Sequence, residues 1–255
     1  MTFRVLLINA IALPLLAADP AKVPVLVELF TSQGCSSCPP ADEVLARLES
    51  ENVIVLSEHV DYWNQLGWKD PYSDRQYSLR QGEYGKLFKQ RGVYTPQMVI
   101  DGRVELIGSD EALARREIKR AASADIVPAN VRIALKEIGK KNVAVFSLAV
   151  DSLPLLNVED TPQVWLAITE SGMKTDVKAG ENTGRKLSHV GVVRTLVQAS
   201  EMKADDKGYR AVAKVTLQPD WKLDRLRAVL FVQEKNAKRV LGVASVKLTA
   251  EASGN

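Results

Sequence analysis

Val23-Pro24-Val25-Leu26-Val27-Glu28-Leu29-Phe30, then Cys35-Ser36-Ser37-Cys38, then the stretch from Asp42 to Ser50 decide how this chain is read. The first stretch is an apolar run of the buried-strand kind, and the last has helical periodicity. Between them sit the only two cysteines of the 255 residues. Two thiols at that spacing can close a small disulfide ring, trade disulfides with a client, or share a soft metal ion. A purely structural bridge is the weaker reading, because the stabilisation from a disulfide shrinks with the loop it closes. A chain of this length also builds ordinary cores without a staple.

Working outward, Asn52 to Val60 reads as a second buried strand. An aromatic-rich loop follows from Asp61 to Pro71, carrying Tyr62, Trp63 and Trp68. Ser73-Asp74-Arg75-Gln76 has capping-box spacing and opens a helix with Tyr77, Tyr84 and Phe88 that stops near Gly92. Tyr94-Thr95-Pro96 precedes a short strand, Gln97 to Ile100, which the Asp101-Gly102 turn signal joins to Val104–Ile107 as a hairpin. Ser109-Asp110 caps a last helix running to Ala122. Beyond a junction at Val127-Pro128-Ala129 the texture changes. Alternating stretches at Val131–Ile138, Val143–Val150, Val164–Thr169, Val192–Val197, Tyr209–Leu217, Leu226–Val232 and Val240–Leu248 predict an antiparallel sandwich.

At the start, Arg4 precedes an apolar stretch from Val5 to Leu16, with Ala17-Ala18 at its end. A bilayer-spanning helix needs roughly 20 apolar residues, so residues 1–18 read as a signal peptide, the alternative being a short uncleaved anchor, and the protein as periplasmic or secreted. That compartment permits disulfides. No later segment reads as an integral membrane span. The net charge of +3 brings no basic run with interleaved aromatics, which argues against nucleic acid as a partner.

The order strand, CxxC, helix, strand, helix, Thr-Pro, strand is how a thioredoxin fold reads in sequence. Two further strings sharpen this. Glu28 to Asp42 followed by His59-Val60-Asp61-Tyr62-Trp63, and Gly180-Glu181-Asn182-Thr183-Gly184-Arg185-Lys186-Leu187 with Val192-Val193-Arg194, resemble the bacterial secreted family catalogued as a thioredoxin-like domain of unknown function. The resemblance runs over nearly the whole mature chain. Residues and resemblance together imply an α/β thioredoxin-like domain (residues 23–125) followed by an all-β antiparallel sandwich (residues 129–250).

In that reading Cys35 is the exposed attacking thiol and Cys38 the buried resolving one, with no dissociable cofactor. A helix N-terminus acidifies a thiol, but Pro39-Pro40 suit a first helical turn and move the regular helix away from Cys35. Gly34, where thioredoxin has tryptophan, is expected to open the surface. Glu28 stands where a proton acceptor for Cys38 is expected, the alternative being a rim carboxylate on an edge strand. Thr95-Pro96 matches the loop facing the CxxC, where proline is cis and leaves a backbone edge for an extended client. Tyr62, Trp63 and Trp68, after the second strand, form either a lip for a peptide client or cover for a core, and Tyr94 and Thr95 join Tyr62 and Trp63 as candidate client contacts. His59 assists proton transfer, joins a metal site, or is a satisfied structural histidine.

Glu181, Asn182, Arg185 and His189 fall between predicted strands, where Arg185 pairing with Glu181 across a tight turn is the favoured account. The function expected is an exported thiol–disulfide oxidoreductase acting on a protein client or redox partner. The alternatives are a Cu(I) module using both thiolates with His59 or Met98, and a redox-silent adaptor.

Overall fold

A computed structural model describes residues 23–123, 128–154, 156, 160–203 and 206–249. The leader reading of residues 1–18 lies outside these, as does Val127 of the expected junction. Among the described residues, no helix is long and apolar enough to cross a membrane.

The chain opens with β1 (Val25–Thr31), α1 (Pro39–Leu48), β2 (Val53–His59), α2 (Arg75–Leu87), β3 (Gln97–Ile100), β4 (Val104–Ile107) and α3 (Glu111–Ala122). Every residue of β1 and β2 is buried, as expected for parallel strands covered on both faces. They pair in parallel from Val25↔Val53 to Thr31↔His59. On one face, Val25, Val27 and Leu29 of β1 pack with Ala41, Val44, Leu45 and Leu48 of α1. On the other, Leu26 packs with Tyr77 and Phe30 with Tyr84, both from α2. The hairpin read from Asp101-Gly102 forms between β3 and β4, with positive φ at both turn residues (49° and 66°).

Helix starts follow their caps closely. Asp74, not Ser73, caps α2 by accepting from Gln76 N, while Ser73 turns back to donate to the Asp70 carbonyl. Asp110 caps α3 by accepting from Leu113 N. The prolines set the start of α1 at Pro39, with Cys38 as N-cap.

The remaining strands are β5 (Asn130–Gly139), β6 (Val143–Asp151), β7 (Pro162–Glu170), β8 (Met173–Asp176), β9 (Lys186–His189), β10 (Val192–Glu201), β11 (Gly208–Thr216), β12 (Leu226–Glu234) and β13 (Val240–Lys247). Seven of these were read from sequence. The short β8–β9 hairpin was not, because Met-Lys-Thr-Asp and Lys-Leu-Ser-His carry too few apolar residues to register as strands.

The expected fold class does not form. In place of a thioredoxin-like α/β domain followed by an all-β sandwich, one mixed sheet of eight strands runs in the order β13-β12-β7-β10-β2-β1-β3-β4. Strands from both halves of the chain share it, and the three α-helices among the described residues are only 10, 13 and 12 residues long. A three-stranded sheet, β11-β6-β5, covers part of it: Phe146 and Leu148 pack with Leu166, Ile168, Leu230 and Leu241.

The halves join where β10 meets β2. Val192 pairs with Ser57, and Ser57 N donates to the Gly191 carbonyl at 2.8 Å. Gly191 has φ +59°, and a Cβ there would lie 2.7 Å from the Val55 carbonyl oxygen. Only glycine permits this approach. Alternation in a sequence records which side of a strand is apolar, not which strand lies beside it, and so the joint was invisible. Gly191→Ala should cost about 2 kcal/mol of stability, measured as a lower denaturation midpoint at unchanged slope.

Candidate functional site

The carboxyl ends of β1 and β2 open side by side, the end at which open α/β sheets collect their sites. The chain leaving β1 turns through Gln33 and Gly34 into the CxxC. Cys35 and Cys38 are joined by a disulfide with a Cα–Cα separation of 5.4 Å. Cys38 N donates to the Cys35 carbonyl, and Ala41 N and Asp42 N donate to the Cys38 carbonyl. Pro39 and Pro40 have no N–H to offer. The first turn of α1 therefore has no spare donor for a thiolate at Cys35. What Cys35 Sγ meets instead is Ser37 Oγ at 3.3 Å and the Thr95 carbonyl oxygen at 3.9 Å.

The Thr95-Pro96 bond is cis, and the loop faces the disulfide as its motif implied. Access is another matter. Ser36 and Ser37 are exposed, but Cys35 and Cys38 both have 0% relative exposure, so the reading of Cys35 as an open thiol does not hold in this state. Gly34 does not open the surface either. Trp63 fills the space, 3.1 Å from where a Gly34 Cβ would sit, and its Nε1 donates to Thr95 Oγ1 at 2.8 Å.

The remaining cover comes from the β8–β9 hairpin. Asn182 is fully buried, and its Nδ2 donates to the carbonyls of Gln33 (3.0 Å) and Cys35 (2.9 Å). Glu181, on the exposed side, accepts from Ser36 N at 3.0 Å. Hydrogen bonding from the Ser36 side chain and from its backbone N–H holds the Glu181 carboxyl below the usual range. The expected Glu181–Arg185 pair is thus replaced by a contact across the fold. Gln33 Nε2 donates to Thr175 Oγ1 of β8, while Trp68 Nε1 donates to Gln33 Oε1.

Beneath this lies a buried polar layer. His59 Nδ1 is 2.7 Å from Asp70 Oδ2, and that oxygen also accepts from Gln33 N. His189 lies edge-on to His59, ring centroids 4.8 Å apart. Trp68 fixes the Gln33 amide so that its nitrogen faces His189 Nε2 at 3.3 Å, which makes that ring nitrogen the acceptor. His189 Nδ1 is 3.4 Å from Asp42 Oδ2, and Asp42 Oδ1 accepts from Thr31 Oγ1. The two histidines are the chain's only ones.

Burial alone would push the His59 pKa down, but the Asp70 carboxylate and its hydrogen bond outweigh this and hold it above the ordinary 6.5. Burial would raise the Asp70 pKa, yet His59 and the N–H groups of Gln33 and Tyr72 pull it below the ordinary 3.8. A raised histidine pKa means stability that is complete below the unfolded-state value and is lost as pH climbs through the folded one. The thermal midpoint should therefore fall as pH rises above 6.5. Asp70→Asn should flatten that decline, and an undiminished slope in this variant would refute the assignment.

Glu28 is not brought to the disulfide. It points to the opposite face of β1, where it accepts from Arg80 Nε at 2.7 Å and from Tyr84 OH. Arg80 also donates to Gln233 Oε1 of β12. The proton-acceptor role assigned from its place before Cys35 fails because side chains alternate along a strand, and even-numbered positions of β1 face α2. Among the flanking aromatics, Tyr62 OH donates to Gln81 Oε1 and Tyr94 OH to Glu105 Oε2. Both are half-buried and pinned in place. Asp70 engages His59 Nδ1, and the described residues contain no group of three or more His, Cys, Asp or Glu able to hold a metal.

Sequence reasoning passed over Gln33, Asp42 and Asp70, and read Asn182 as a turn residue. Gln33, Asp42 and Asn182 lie inside the strings that carry the resemblance, which was the one signal available. Asp70 had none.

The chain belongs to the family described as "Protein of unknown function (DUF1223)", whose model matches residues 26–233. Among solved structures it is similar to a protein from Agrobacterium tumefaciens (TM-score 0.68, 25% identity, 93% of this chain and 100% of that one covered). It is also similar to HBP35 of Porphyromonas gingivalis (TM-score 0.61, 15% identity, 93% and 80% covered). At 15% identity the second likeness speaks for the fold alone. No curated protein matches.

Proposed function

We propose that this family member is an exported thiol–disulfide exchange protein acting on protein clients, with Cys35 as the sulfur that attacks and is attacked and Cys38 as the resolver. The observation carrying this is the seat of Cys35. Its Sγ lies beside the Thr95 carbonyl and within 3.3 Å of the Ser37 hydroxyl. A backbone acceptor at that place lets an extended client align its own N–H next to the sulfur under attack. The bridge closes a ring with two intervening residues and so adds little as a staple. The leader reading and the disulfide both favour an oxidising compartment.

In the oxidising direction, a client thiolate attacks Cys35 Sγ, the Cys35–Cys38 bond breaks, and Cys38 leaves with the electron pair and takes up a proton. The second client thiolate then attacks the client sulfur of the mixed disulfide and releases Cys35, which is protonated in turn. The client loses two electrons and two protons, and the protein gains them. The reverse sequence reduces a client disulfide.

A second reading, a redox-silent scaffold with an inert bridge, is favoured by the complete burial of both cysteines. Glutathione equilibration together with an insulin-reduction assay separates the two. Exchange predicts a potential above about −300 mV and accelerated insulin reduction. A lower potential with no acceleration would leave the inert bridge as the answer.

A further inference from the structure

We infer that the loop joining β8 to β9, residues 177–185, is a built-in gate whose Glu181 and Asn182 must let go of the CxxC before a client reaches the disulfide. This rests on the exchange reading and deepens it. The two groups meet complementary backbone atoms of the CxxC: the Glu181 carboxylate accepts from Ser36 N, and the Asn182 amide donates to the Cys35 carbonyl. Both atoms belong to the one Cys35–Ser36 peptide unit, whose carbonyl and N–H point opposite ways, so the loop grips it from two sides. The gate's side chains therefore hold the peptide unit next to the attackable sulfur.

The loop is built to move as a unit. It closes on itself through Val177 N to the Arg185 carbonyl and Gly184 N to the Val177 carbonyl, both 2.9 Å. Gly180 and Gly184 supply its positive φ angles of 73° and 80°. Lys178, Glu181, Thr183, Gly184 and Arg185 are exposed, and only Val177 and Asn182 are buried. Its hold on the CxxC is polar, and buried Asn182 Oδ1 has no hydrogen-bond partner among the described residues. An element with few buried apolar contacts opens locally at far less cost than the core.

The test reads disulfide access and does not require a client. Dithiothreitol delivers two electrons and two protons, becoming its cyclic disulfide as Cys35 and Cys38 become thiols, and alkylation with mass detection follows the rate. Asn182→Ala should be reduced roughly tenfold faster than the parent, as loss of two hydrogen bonds predicts. Glu181→Ala, an exposed substitution that leaves folding intact, should be roughly threefold faster. Circular dichroism establishes that each variant is folded. If Asn182→Ala does not fold, the Glu181→Ala rate decides. Parent-like rates in folded variants overturn the gate. Insulin reduction that persists alongside parent-like rates removes the gate and leaves exchange standing. Faster reduction of variants that never act on insulin removes exchange and leaves a gated but silent bridge.

Discussion

Replacing Arg80 with methionine should destabilise this protein by about 3–5 kcal/mol, the range for removing one partner of a buried ion pair. Arg80 is 7% exposed and Glu28 0%. The guanidinium reaches Glu28 Oε1 through Nε at 2.7 Å and Nη2 at 2.6 Å, and lies 5.3–5.6 Å from the ring centres of Tyr84, Trp165 and Phe231. Glu58, also buried, is 3.4 Å from Nε, and burial pushes its carboxyl well above the usual range. One cation thus serves the carboxyl groups of two neighbouring strands and ties α2 to β12. Methionine fills much of the volume but leaves Glu28 without its counter-charge, so the loss exceeds that of a pair broken at the surface. Chemical denaturation measures it. Adding Glu28→Gln to Arg80→Met should recover a good part of the loss, because the uncompensated charge goes with it. If the double variant is no better than the single, packing rather than charge explains the defect.

The second large effect concerns the two sulfurs. Cys38→Ser should accumulate a mixed disulfide between Cys35 and a disulfide-containing client such as insulin, since no resolving thiolate remains to release it. Cys35→Ser should form no such adduct and should bring exchange down to the uncatalysed background. Mass spectrometry of the non-reduced protein distinguishes the outcomes. The asymmetry follows from position: Cys35 faces the Thr95 carbonyl and Ser37, whereas Cys38 is the N-cap of α1 and its backbone is committed to the first helical turn. Equal trapping by either variant would remove the distinction between attacker and resolver. No trapping by a folded Cys38→Ser protein would favour the inert bridge.

Much of the local structure was legible because it is written in short-range patterns. The runs that became β1 and β2 are continuous apolar stretches, Pro39-Pro40 set the start of α1, Asp101-Gly102 made its hairpin, and Thr95-Pro96 was placed opposite the CxxC. His59 was picked out by its position at the end of β2, though nothing in the sequence supplied its partner Asp70. Glu28 was misplaced because counting residues back from a cysteine says nothing about which face of the strand a side chain takes. The open surface expected at Gly34 failed for a similar reason, since Trp63 from a distant loop filled the vacancy.

What the sequence determined alone is therefore most of the elements and the place of the CxxC between β1 and α1, because periodicity, caps and turn residues act over a few positions. Only the tertiary structure decided that strands from both halves share one sheet, which turns on Gly191 letting β10 come against β2. Only it decided that the disulfide lies covered. Asn182 is 147 residues from the Cys35 carbonyl it bonds, and a contact between groups so far apart in the chain leaves no periodic trace in either segment.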